Sequence, residues 1–139
     1  MKILHLADLH IGKKVNDFCM LEEQKFVLKQ AIDLIKDEQI EAVLIAGDVF
    51  DRPIPSISSL ELFDEFLINL NKLSIKTFII SGNHDNMERL SYMARLLEHS
   101  NIFFSSPFDG KILAKKLNED INVYLLPYLY PAMVKKILS

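Results

Sequence analysis

Short unbroken apolar runs alternate with longer segments of helical spacing along the first hundred residues. The runs cover residues 2–7, 42–46 and 75–80. Segments 18–38, 56–72 and 87–98 follow them, with apolar residues returning at three- and four-residue steps, as in Phe26, Leu28, Ala31, Ile32 and Ile35. That spacing lines one face of a helix, so the order reads β-α-β-α-β-α. Asn16 or Asp17 stands where the first helix needs an N-cap, and Pro55-Ser56 marks the start of the second. A strand with no polar alternation is buried on both faces, as in a parallel sheet flanked by helices. The predicted fold class is therefore α/β. Past residue 100 the pattern changes to short strand candidates at 102–104, 111–117 and 121–126, with turns at 107–110 and 118–120 and a helix start after Pro131.

The chain has 139 residues, half of them hydrophobic and a quarter charged. This is the balance of a folded domain rather than a disordered chain, and the length fits one domain with a real core. Sixteen basic residues against 19 acidic ones leave a net charge of −3. Binding to nucleic acid would then need a local patch or a metal ion, since the overall field opposes it. Cys19 is the single cysteine and cannot close an intramolecular disulfide, and Met1-Lys2 runs straight into a strand rather than a signal peptide, so the expected location is the cytoplasm. Charges interrupt every apolar stretch short of the ~18 residues that cross a bilayer, so no membrane is expected.

Ligands of an open parallel sheet gather beyond the carboxyl ends of its strands. The three exits read Asp8-Leu9-His10, Gly47-Asp48-Val49-Phe50-Asp51-Arg52 and Ser81-Gly82-Asn83-His84-Asp85. Carboxylate, imidazole and amide oxygen together suit Mn²⁺, Fe²⁺ or Zn²⁺ better than Ca²⁺ or Cu⁺, and the lack of clustered cysteines argues against a structural zinc site. Read as an extended pair, Asp8 and His10 point to the same side and reach one ion. Asp48 can place one oxygen on each of two ions, the arrangement that clamps a phosphoryl displacement. Taken singly, each of these residues reads better as a polar loop residue that caps a helix than as a ligand. Their recurrence at three consecutive exits favours a metal site. Asp51 and Arg52 read as a loop-fixing ion pair, His5 as a core or subsurface histidine, His99 as a surface residue near a helix end, and Cys19 as a partly buried small side chain. Lys13 and Lys14 read as solvated, with a phosphate contact as the alternative.

Asp8-x-His10, Gly47-Asp48-x-x-Asp51 and Gly82-Asn83-His84-Asp85, in that order, resemble the calcineurin-like metallophosphoesterases. The phrases Ile3-Leu4-His5-Leu6-Ala7-Asp8-Leu9-His10-Ile11-Gly12, Ala46-Gly47-Asp48-Val49-Phe50-Asp51-Arg52 and Pro53-Ile54-Pro55-Ser56 are similar, within that superfamily, to the DNA nucleases of the SbcD and Mre type. The resemblance covers essentially the whole chain. It implies a layered αββα sandwich of which residues 1–139 are the N-terminal part. It implies two divalent ions, Mn²⁺ first and Mg²⁺, Fe²⁺ or Zn²⁺ as alternatives, with Asp8 and His10 on one, Asn83 on the other and Asp48 between them. His84 would act at the scissile phosphate as general acid or transition-state stabiliser, with Asp85 either orienting its ring or capping the helix that follows.

The implied activity is hydrolysis of DNA phosphodiester bonds, as a double-strand exonuclease and single-strand endonuclease in DNA repair, recombination and replication, together with an SbcC-type ATPase subunit. The family pattern continues with a further histidine and a Gly-His-x-His segment that do not occur before Ser139. The expectation is thus part of a nuclease domain, weakly active or inactive by itself, without the DNA-capping region or the ATPase-binding segment. Segments 56–72 and 87–98 carry more apolar residues than one core-facing stripe needs. They are the expected helices of a homodimer interface, unless later parts of the domain cover them. Two other readings stay open: a general metallophosphoesterase acting on nucleotides or phosphoproteins, and a non-catalytic dimerisation module.

Overall fold

The computed structural model describes residues 1–86, 97 and 100–138. The helix expected over 87–98, apart from residue 97, and His99 lie outside the described residues. In chain order the elements are β1 (Ile3–Leu6), β2 (Lys14–Val15), β3 (Phe18–Cys19), α1 (Leu21–Asp37), β4 (Ala42–Ala46), α2 (Ile57–Lys72), β5 (Lys76–Ile80), β6 (Ile102–Phe104), β7 (Leu113–Lys116), β8 (Asn122–Leu125) and α3 (Pro131–Leu138).

Four of the strands form a parallel sheet in the order β1-β4-β5-β6, with Ile3 opposite Ala42, Ala42 opposite Lys76 and Thr77 opposite Ile102. Spatial order here equals chain order. Successive right-handed crossovers in one direction leave their helices on one face, and α1 and α2 both pack there. Leu28, Ile32 and Ile35 of α1 and Phe63, Phe66 and Leu70 of α2 close over Val43, Ile45 and Ile79. The sheet is covered on both faces, as expected, but by different layers. The opposite face is covered by the antiparallel β7–β8 hairpin, whose Leu117 and Leu125 pack on Ala42 and Phe78. The result is a helix layer, a sheet and a second β layer, a mixed α/β architecture.

No β1 residue joins that second core among the described residues. On this edge strand Ile3 and His5 face solvent, so His5 is exposed rather than a core or subsurface residue. The start of β1 is tied to the end of α1 by Lys2 Nζ on Glu38 at 2.6 Å. That hydrogen bond and the ammonium charge hold the Glu38 carboxyl below its ordinary range.

Local sequence explains the helix ends. Ser56 caps α2, its Oγ accepting the Ser59 N–H at 3.2 Å. Both long helices close with a left-handed residue, Gln39 after α1 and Ser74 after α2. The next N–H returns to the last turn, Ile40 to Ile35 O at 3.0 Å and Ile75 to Leu70 O at 3.1 Å. This pairing satisfies carbonyls that a helix end leaves free. At the N-terminal side of α1 the expected cap is corrected: Asn16 and Asp17, at φ 48° and 64°, form the two-residue turn of the β2–β3 hairpin, and the helix begins only at Leu21. Two consecutive residues with positive φ match the twist of a tight hairpin, and Asn and Asp tolerate that conformation. Cys19 lies on β3 and is exposed, not partly buried.

Most of the apolar surplus of α2 is spent in the core, where Leu62, Phe63, Phe66, Leu67 and Leu70 are buried. Ile57, Leu60 and Ile68 remain exposed. Among the described residues no helix is long and apolar enough to cross a membrane.

Candidate metal centre

Parallel pairing of β1 with β4 brings the first two exits side by side, and their loops continue the ladder. The N–H of Asp8 donates to Gly47 O at 3.2 Å, that of His10 to Asp48 O at 2.9 Å, and that of Ile11 to Val49 O at 2.9 Å. The third exit is drawn in by Asp85, whose carboxylate accepts the N–H groups of Gly82 at 2.8 Å and of Val49 and Phe50 at 3.1 Å each. The loops touch too closely for side chains at the two glycines. A Cβ on Gly82 would collide with the backbone N and carboxylate of Asp48, and one on Gly47, whose φ is +79°, would stand 2.9 Å from Gly82 Cα.

Asp8, His10 and Asp48 converge, each offering a ligand atom within 4.8 Å of the others. His10 Nε2 lies 3.8 Å from Asp8 Oδ1 and 3.7 Å from Asp48 Oδ2. The expected extended pair is corrected: Asp8, His10 and Asp48 all have left-handed backbones, at φ 54°, 44° and 48°. Such conformations cost about 1–3 kcal/mol each outside glycine and persist where the surroundings over-determine them. Here they aim two side chains of one short loop at a third from the neighbouring strand.

The residues fit a divalent ion. Two carboxylates and an imidazole make an oxygen and nitrogen set suited to hard or borderline metals. Among the described residues the buried His10 Nδ1 has no hydrogen-bond partner, and it faces Asp51 Oδ1 at 3.6 Å. A carboxylate behind the non-ligating nitrogen is the usual second partner of a metal-bound histidine. Asp51 thus lies against His10, and among the described residues it forms no ion pair with Arg52, contrary to expectation.

A cleft of about 270 Å³ opens beside this cluster, lined by Asp8, Gly47, Asp48, Gly82, Asn83 and Tyr128 among others. Asn83 is exposed on its rim. His84 is exposed too, its ring meeting that of His10 edge-on at 5.1 Å between centroids. Asp85 is half-buried and bound to backbone amides, and among the described residues it makes no hydrogen bond to the His84 ring. Lys13 and Lys14 are exposed.

Three contributors escape a reading of the sequence. Gln24 of α1 bonds the backbone of residues 9, 10 and 12. Ser59 of α2 fills the space beside Gly12. Tyr130 donates its hydroxyl to Asn83 O at 2.8 Å. A polar residue on an amphipathic helix gives no sign of which loop it will meet, and Tyr130 lies 47 residues from its partner.

Sheet, exits and convergent ligands agree with a comparison against known families. The calcineurin-like phosphoesterase domain matches residues 1–134. Members of that family are metal-dependent hydrolases that use divalent ions, and Asp8, His10 and Asp48 can hold one. With nearly its whole length matched, the chain belongs to the calcineurin-like phosphoesterase family.

Proposed function

We propose that this chain carries the strand-exit part of a two-metal phosphodiesterase site acting on DNA, in the manner of the SbcD-type nucleases. The observation that supports the metal reading most directly is the convergence of Asp8, His10 and Asp48 within 4.8 Å. The motif wording from Ile3 to Gly12 and from Ala46 to Ser56 supports the DNA reading. Asp8 and His10 hold the first ion, Asp48 reaches both, and Asn83 serves the second from the cleft rim. Bound divalent ions, Mn²⁺ foremost, lower the pKa of water and neutralise charge on the phosphodiester. His84, exposed at the cluster, donates a proton or hydrogen bond to the departing oxygen. Asp85 keeps His84 in place through the loop backbone. The partners in this reading are DNA, an SbcC-type ATPase subunit and a second copy of the chain, meeting through the outward face of α2 with Ile57, Leu60 and Ile68 and through segment 87–98.

Calorimetric titration with Mn²⁺, run beside Asp48→Asn, tests the metal site, and cleavage assays separate the substrate classes. Mn²⁺-dependent degradation from duplex ends supports the DNA nuclease. Cleavage of a small chromogenic phosphodiester alone points to a general phosphoesterase, and metal-independent self-association without cleavage to a dimerisation module. A monomer in sedimentation at tens of micromolar rules out the helical dimer.

A further inference from the structure

Gln24 reaches from the first turns of α1 into the loop that carries Asp8 and His10. Its Oε1 accepts the Gly12 N–H at 2.9 Å, and its Nε2 donates to Leu9 O at 3.0 Å and to His10 O at 2.8 Å. These contacts bracket His10 on both sides, in the segment where the left-handed residues Asp8, His10 and Gly12 fall at every second position. Left-handed backbone relaxes toward the extended region unless something opposes it, and relaxation would swing the attached side chain away. A primary amide suits the task because it offers donors and an acceptor from one rigid group. Glutamate would lose the donors, and asparagine would stop one methylene short. From the other side, Ser59 blocks movement of Gly12 toward α2.

We propose that Gln24 is a positioning residue for the metal site, its amide fixing the turns that bring the Asp8 carboxylate and the His10 imidazole to Asp48. The inference rests on the reading of these three residues as metal ligands. Gln24 touches neither ion nor substrate and acts through the loop backbone, so its removal changes ligand geometry before it changes anything else.

The test is Mn²⁺ calorimetry on the chain, on Gln24→Met and on Ala31→Gly, with thermal melts of each in EDTA. Met keeps the length and helix propensity of Gln without its hydrogen bonds. Ala31 sits on the same helix, packed against the core and away from the loop, so its Gly variant weakens the fold alone. Gln24→Met should bind Mn²⁺ about 10- to 100-fold more weakly than the parent, while Ala31→Gly melts lower and binds within about twofold. Should Gln24→Met fail to fold, Gln24→Asn takes its place with the same expectation. Parent-like affinity in the Gln24 variant overturns the proposal, and so does an equal loss of affinity in Ala31→Gly. A parent chain that binds no Mn²⁺ overturns the metal reading itself and the proposal with it.

Discussion

Asp48 Oδ1 accepts the backbone N–H of His84 at 3.0 Å. Its other oxygen faces His10 Nε2 at 3.7 Å, so one carboxylate both anchors the third exit loop and presents charge to the proposed metal. Asp48→Asn separates the two tasks, because the amide oxygen can still accept from His84 while the anionic ligand is gone. Expected is a variant that melts close to the parent in EDTA but binds Mn²⁺ more than about 100-fold less tightly. Calorimetry and a thermal melt on the same sample check both halves.

Gly82 lies against the Asp48 carboxylate and backbone N, with no room for a methyl group. In Gly82→Ala the third exit must move away from the second, and overpacking of this kind costs about 1–3 kcal/mol. Urea unfolding should show that loss, and metal affinity should fall with it, because the displaced backbone is the one bonded to Asp85 and Asp48.

Asp85 closes three backbone amides from two loops. Asp85→Asn places an NH₂ group opposite at least one of those N–H donors and removes the charge that strengthens the rest. A loss of about 1.5–3 kcal/mol in chemical denaturation is expected. A residue whose task was to orient the His84 ring would leave stability near the parent value.

Phe63 is buried in α2 and meets Phe50 of the Asp48 loop edge-on, with ring centroids 5.4 Å apart. Phe63→Ala leaves a cavity under that loop and should cost about 3–5 kcal/mol, a large share of the ~5–15 kcal/mol that holds a domain together. The melt should fall sharply, and Mn²⁺ should recover part of the loss if the ion binds only the folded chain.

Apolar runs placed β4 and β5 within a residue, because strands buried on both faces leave no other pattern. The exits were legible for the same reason: whatever follows such a strand sits at one end of the sheet. The face that the helices take was not legible, since periodicity shows that a stripe is buried and not against which side. Asn16-Asp17 suits a helix cap by residue type, but the backbone takes positive φ at both residues and makes a hairpin turn instead. The convergence of Asp8 with His10 rests on left-handed backbone held by groups distant in sequence. Asp85 shows the same limit, as its partners at 49 and 50 lie 36 and 35 residues away.

Strand order equal to chain order has a consequence for how the protein is made. Each new strand docks beside the one synthesised just before it, so the sheet grows at a single edge without waiting for distant pieces. Asp8, His10 and Asp48 all leave the ribosome before β5 exists, but the clamp supplied by Asp85 follows Val49 by 36 residues. At about 5–20 residues per second that is an interval of about 2–7 s in which the three ligands are present but the Asp48 loop is not yet clamped by Asp85.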